Sequence, residues 1–173
     1  LMPFIRHRTD LTYMLDQLGG EVSVGHSFVF GGDFPALDTS RVGVLGADLI
    51  AADGFWKINR IYTAESWNPE LTAPLSQPNL KIEQGNYILA VNGNDLKASD
   101  DPYQFLNGSA DMQTVLLVNK RPSNDGAWTV IVKPLKNESA LRQRAWVEDN
   151  RRKVDELSKG KLDYVWVPNT GGH

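Results

Sequence analysis

Tyr87-Ile88-Leu89-Ala90-Val91 is an unbroken apolar run, and Asn92-Gly93 follows it directly. Five apolar residues between turn residues read as a short buried strand. Asn-Gly closes such a strand because both residues adopt positive φ at little cost. The surrounding sequence is also strand-like. Arg41 to Ala51 and Phe55 to Tyr62 meet at Ala52-Asp53-Gly54, a hairpin signal, and Gln113 to Lys120 meets Ala127 to Pro134 through Pro122-Ser123-Asn124-Asp125-Gly126. Between these lie a loop, Glu65 to Asn79, with Pro69, Pro74 and Pro78, and a short helix from Asp101-Pro102 to Leu106 with proline at its first position.

The flanks follow a different pattern. Thr9-Asp10 caps a helix whose Leu11, Met14, Leu15 and Leu18 share one face, and Gly19-Gly20 stops it. An alternating run follows, with Val22, Val24, His26, Phe28 and Phe30 on one side, ended by Gly31-Gly32-Asp33. Downstream, Ser139 to Lys159 predicts a charged helix capped by Gly160, with Val147, Asn150, Val154 and Leu157 as its inner stripe. Glu148 with Arg152, and Asp149 with Lys153, are spaced as i, i+4 ion pairs. Lys161 to Val167 reads as a last strand, stopped by Pro168.

Bulk properties narrow the function. Eighteen basic and 21 acidic residues give a net charge of −3, and cysteine is absent. This balance offers no footprint for nucleic acid and no polybasic membrane patch. No run of about 18 apolar residues marks a spanning helix. Disulfides and cysteine-ligated zinc are excluded. No phosphate loop, metal pattern or dinucleotide fingerprint occurs, so no cofactor and no metal are expected. Asp53 is read as a turn residue, and Asp100-Asp101 as a helix cap. The N-terminus lacks the pattern of a secretory signal, and the start at Leu1 and end at Gly171-Gly172-His173 read as cuts in a longer chain.

Three histidines are available. His7 lies between Arg6 and Arg8, and His173 is terminal. His26 sits on the apolar side of the alternating run. A buried imidazole there must be hydrogen-bonded or functional, because an unpaired buried polar group costs roughly 1–3 kcal/mol. From spacing alone, a satisfied core histidine is the plainer reading.

A resemblance adds to this. Gly85-Asn86-Tyr87-Ile88-Leu89-Ala90-Val91-Asn92-Gly93 resembles the central signature of a PDZ domain, with Asn86 where many relatives carry Asp. Val44-Leu45-Gly46-Ala47-Asp48 resembles the loop that opens the PDZ peptide-binding strand. Gly25-His26-Ser27-Phe28-Val29-Phe30-Gly31-Gly32-Asp33, Leu141 to Arg152, and Leu162-Asp163-Tyr164-Val165-Trp166-Val167-Pro168 resemble segments of tricorn-like serine peptidases, in that family's order. The resemblance implies an α+β, β-rich chain. Its PDZ-like, partly open β-barrel would be capped by short helices and flanked by an N-terminal helix-strand and a C-terminal helix-strand. The implied division is 1–34 as the end of an N-terminal catalytic subdomain, 35–136 as the PDZ-like domain, and 137–173 as a linker helix and the first strand of an α/β catalytic domain.

In that reading His26 is the general base, and Leu45, Gly46, Ala47 and Asp48 contact peptide. Consecutive exposed N–H groups hold a carboxylate or carbonyl, and Gly46 lets the backbone approach closely. The family's nucleophilic serine lies beyond the segments represented here, and none of this chain's serines sits in a nucleophile elbow. The chain by itself is therefore expected to hydrolyse nothing. Archaeal relatives carry a serine directly before the histidine; Gly25 stands there instead, leaving Ser27, a residue elsewhere, or nothing to hold the imidazole. Expected partners are peptide substrates and the rest of a parent peptidase that forms homo-oligomers, with no nucleic acid and no membrane. The resemblance points to cytoplasm, while exported bacterial homologues leave the compartment open. The competing reading is a free PDZ-type adaptor in which His26 is packing.

Overall fold

The computed structural model describes residues 2–23, 25–37, 39, 41–62, 68 and 71–169. Val24 of the alternating run and His173 lie outside the described residues. The chain divides into two compact units, residues 1–39 and 40–173.

The larger unit is built on a six-stranded antiparallel sheet. Strands β1 (Ala47–Ala52), β2 (Phe55–Ile61), β3 (Tyr87–Val91), β5 (Thr114–Asn119) and β6 (Trp128–Val132) are adjacent in that order, and the short β4 (Asn94–Asp95) pairs with β3. β3 is central, and all five of its residues are buried, as an unbroken apolar run requires. Asn92 and Gly93 turn it back with φ of 49° and 82°. Asn92 is structural: its N–H and its Oδ1 exchange hydrogen bonds with the backbone of Val115 on β5. Asp53 and Gly54 form the matching turn between β1 and β2, with φ of 51° and 79°. Asn86 is buried, and its Oδ1 accepts from Glu83 N–H, which fixes the turn entering β3.

The sheet curls. Val44, just before β1, and Leu135, just after β6, exchange two backbone hydrogen bonds, so the two ends of the sheet meet in a partly closed barrel. Ile58, Ile88, Leu116, Val118 and Val132 fill it, each no more than 2% exposed. The short helix α2 (Pro102–Phe105) is capped by Asp101, whose side chain accepts from Tyr103 N–H. Trp56 Nε1 donates to Asp100 O at 3.0 Å and ties α2's entrance to β2.

Helix α3 (Ser139–Ser158) ends where Lys159 and Gly160 take left-handed φ and Gly160 N–H returns to Asp155 O. It docks through its first turns: Leu141 is 1% exposed and packs with Tyr62 and Ala73. The expected stripe is therefore displaced. Val147, Asn150 and Val154 are only half-buried, and Leu157 is 74% exposed. The anticipated i, i+4 pairs are also replaced. Glu148 pairs with Arg144 and Arg151, and Asp149 pairs with Arg60 on β2. A bidentate contact fixed by packing outcompetes a flexible pair along one helix.

The smaller unit holds α1 (Arg8–Glu21). It begins two residues earlier than Thr9-Asp10 capping predicts, because Asp10 accepts from the backbone N–H groups of Arg6 and His7 and acts from inside the first turn. It runs through Gly19-Gly20 to Glu21.

Among the described residues neither flanking run forms a strand. Residues 25–31 and 162–167 take no strand assignment, and the apolar side chains expected to be buried stand in the open: Phe28 is 74% exposed, Phe30 83%, Val165 78%. Alternation specifies which side chains share a face, but a strand also needs a ladder partner for its N–H and C=O groups. The α+β, β-rich architecture stands, while its flanks are helix plus extended chain.

Candidate functional site

Two candidate places stand out, one in each unit. The first is the loop entering β1. Leu45 and Ala47 are each 5% exposed and belong to the core, so they shape the loop and leave contact to the backbone. Gly46 has φ +66°. In a regular strand a residue's N–H and C=O reach the same neighbour; here they part. Gly46 O accepts from Tyr62 N–H at 2.8 Å, and Gly46 N–H donates to Glu138 Oε2 at 2.8 Å. A Cβ at Gly46 would stand 2.6 Å from Ala73 Cβ and 3.2 Å from Leu141 Cδ1, so only glycine fits.

Asp48 faces a charge network. Its Oδ1 accepts from Arg142 Nη1 at 2.7 Å and its Oδ2 from Tyr62 Oη at 2.7 Å. Arg142 also donates from Nε to Glu138 Oε1 at 2.7 Å and from Nη1 to the Tyr62 hydroxyl at 2.8 Å. Burial works against the Asp48 charge, but the hydrogen bonds from Tyr62 and Arg142 outweigh it and hold this carboxyl below its ordinary range. For Arg142, burial is likewise overcome by Asp48 and Glu138, and the guanidinium is held above its usual value. Burial and the hydrogen bond to Asp48 push the Tyr62 hydroxyl up. The network thus joins the Asp48 and Glu138 side chains through one guanidinium, with the Tyr62 hydroxyl between Asp48 and Arg142.

Beyond the loop, β1 pairs only with β2 among the described residues, which leave its other edge unpaired. A groove of about 460 Å³ runs between β1 and the entrance to α2, lined by Leu49, Trp56, Asp100, Pro102 and Tyr103. A free strand edge beside an apolar groove suits an extended peptide: the edge offers main-chain hydrogen bonds, and the groove takes alternate side chains.

Sequence reasoning singled out the loop but missed Glu138, Arg142 and Tyr62. The i, i+4 spacing of Glu138 and Arg142 is visible in the chain. The contact of Glu138 with Gly46 spans 92 residues and leaves no local trace.

The second place is His26. It is exposed, and its ring lies 6.0 Å from that of Phe28, tilted by 37°. The burial argument for a satisfied core histidine therefore does not apply. The segment carrying it returns along α1: a Cβ at Gly19 would stand 2.4 Å from Ser27 Oγ, and Arg8 Nε donates to Gly31 O at 3.2 Å. Gly19 thus serves as a flat seat for Ser27. Among the described residues no group of three His, Cys, Asp or Glu side chains is placed to hold a metal.

Comparison with known proteins agrees on the fold. The family described as the tricorn protease PDZ domain matches residues 43–137. The tricorn protease homolog 1 of Streptomyces coelicolor is 35% identical over 163 residues, covering 92% of this chain and 15% of that protein. The tricorn protease homolog of Saccharolobus solfataricus is 32% identical over 175 residues, covering 98% of this chain and 15% of its own. The crystal structure of the tricorn protease superimposes over 94% of this chain and 16% of that one, with a TM-score of 0.80 at 25% identity. The chain spans about 15% of the length of the curated relatives it matches.

Proposed function

This chain belongs to the tricorn protease family through its PDZ domain, and from that premise we propose that it forms the PDZ section of a serine peptidase that degrades short peptides, together with the edges of the catalytic domains that flank it. The observation that carries this reading is the extent of the likeness. It runs through the PDZ domain into both flanks, over 94% of the chain in the solved tricorn structure.

In this reading His26 is the general base. Its imidazole takes the proton from a serine hydroxyl supplied by the parent enzyme beyond this chain, then returns it to the leaving amine. Exposure supports the role, since a base must reach a group that its own unit does not hold. The exposed apolar residues around it, Phe28 and Phe30, and those of the C-terminal segment, Leu162, Val165 and Val167, are surfaces for the catalytic domains to cover. Trp146 and Tyr164, in edge-to-face contact at 6.5 Å, hold that segment against α3. The groove at β1 binds or spaces the peptide.

The test is hydrolysis. The 173-residue chain on its own releases no product from short fluorogenic peptides, and the complete peptidase does. Cleavage by the chain on its own, abolished by His26→Ala, would overturn the assignment of the nucleophile to another part of the parent.

A further inference from the structure

The Gly46 loop has the parts of a site for a free peptide carboxylate, and the chain fills them itself. A terminal carboxylate needs an N–H aimed at it, a balancing cation and an apolar seat for the last side chain. Here the N–H is Gly46, turned from the sheet by its positive φ; the cation is Arg142; and the seat lies beside Ala73 and Tyr62. The occupants are Glu138 and Leu141. Glu138 places one carboxylate oxygen on Gly46 N–H and the other on Arg142, with its side chain 12% exposed. Leu141, three residues on, is 1% exposed against the same loop. A carboxylate with an adjacent aliphatic side chain is what the C-terminal residue of a peptide presents.

We propose that Glu138 is an intrachain stand-in for a peptide C-terminus and closes the Gly46 loop. A peptide then enters along the β1 edge without its terminal carboxylate being read, and loss of the Glu138 carboxylate frees Gly46 N–H and Arg142 for a free C-terminal carboxylate, while Leu141 keeps the apolar seat. This rests on the peptide-binding reading of the groove. Asp48 strengthens the gate: it holds Arg142 from the other side, so the guanidinium stays beside Glu138. The gate is local. Glu138 makes no capping hydrogen bond to α3 from its side chain, and Arg142 keeps Asp48 and Tyr62 when Glu138 is removed.

The experiment compares a dye-labelled octapeptide ending in glycine with its C-terminal carboxamide, titrated into the wild-type chain and Glu138→Ala at fixed salt. Wild type binds the two alike. Glu138→Ala binds the free acid about tenfold or more tighter than the amide, the scale of one charge-assisted hydrogen bond. Glu138→Gln keeps the shape, loses the charge and moves the same way by less; it carries the test should Glu138→Ala not fold. Discrimination by the wild type, or none by either variant while both peptides still bind, overturns the gate and leaves the groove standing. Binding of neither peptide to any of the folded proteins removes the peptide-binding reading, and the gate with it.

Discussion

At the scale of single residues, the account turns on a few polar groups whose partners lie far off in the chain. Asp48 is the clearest case. Its folded-state value is depressed, so its contribution is present above the unfolded-state value, about 3.9, and is lost as pH falls through the folded value. Asp149, held low by Arg60, acts in the same direction. The melting temperature should therefore fall on acidification below about pH 4, and Asp48→Asn should flatten that limb. At pH 7 the same variant should cost about 1 kcal/mol, a modest figure because a third of the Asp48 side chain is open to water. An unchanged acid limb in thermal melts from pH 2 to 7 would contradict the network. What the sequence makes legible at this scale is turn chemistry: Asp53-Gly54 and Asn92-Gly93 adopt the positive φ their types favour. The bond from Gly46 to Glu138 was hidden because nothing local distinguishes Glu138 from any solvated carboxylate on a charged helix.

At the scale of elements, burial decides which pieces carry stability. Helix α3 is 20 residues long, yet Leu141 is its buried residue. Leu141→Ala should cost about 2–5 kcal/mol, and Leu157→Ala on the same helix should stay within about 0.5 kcal/mol; urea denaturation of the two variants checks the contrast. Equal effects would mean that the helix docks along its whole length. The five main strands were legible as runs rich in apolar residues, each with Gly, Asn, Asp or Pro near at least one end. The runs at 22–30 and 161–167 read the same way, since alternation encodes a face and says nothing about a neighbour. The extent of α3 was legible from propensity, but its docking face was not. That face is chosen by Tyr62 and Ala73, which lie some 70–80 positions away in sequence.

At the scale of the whole molecule, two units divide the labour that the resemblance assigns. Residues 40–173 form the PDZ body with its helix, and residues 1–39 carry the histidine. The closure through Val44 and Leu135 ties the start of β1 to the end of β6, so the core of this unit is closed by its own strands. His26 is exposed, so under the proposed role its replacement should leave folding unchanged while removing the chemistry. The decisive measurement is the hydrolysis of a short fluorogenic peptide by the complete parent peptidase carrying His26→Ala, with the melting temperature as control. The account predicts a fall in kcat of roughly 10²–10⁴-fold, the usual contribution of a positioned acid–base group, at an unchanged melting temperature. Activity retained within a few-fold of the unmodified enzyme would contradict it.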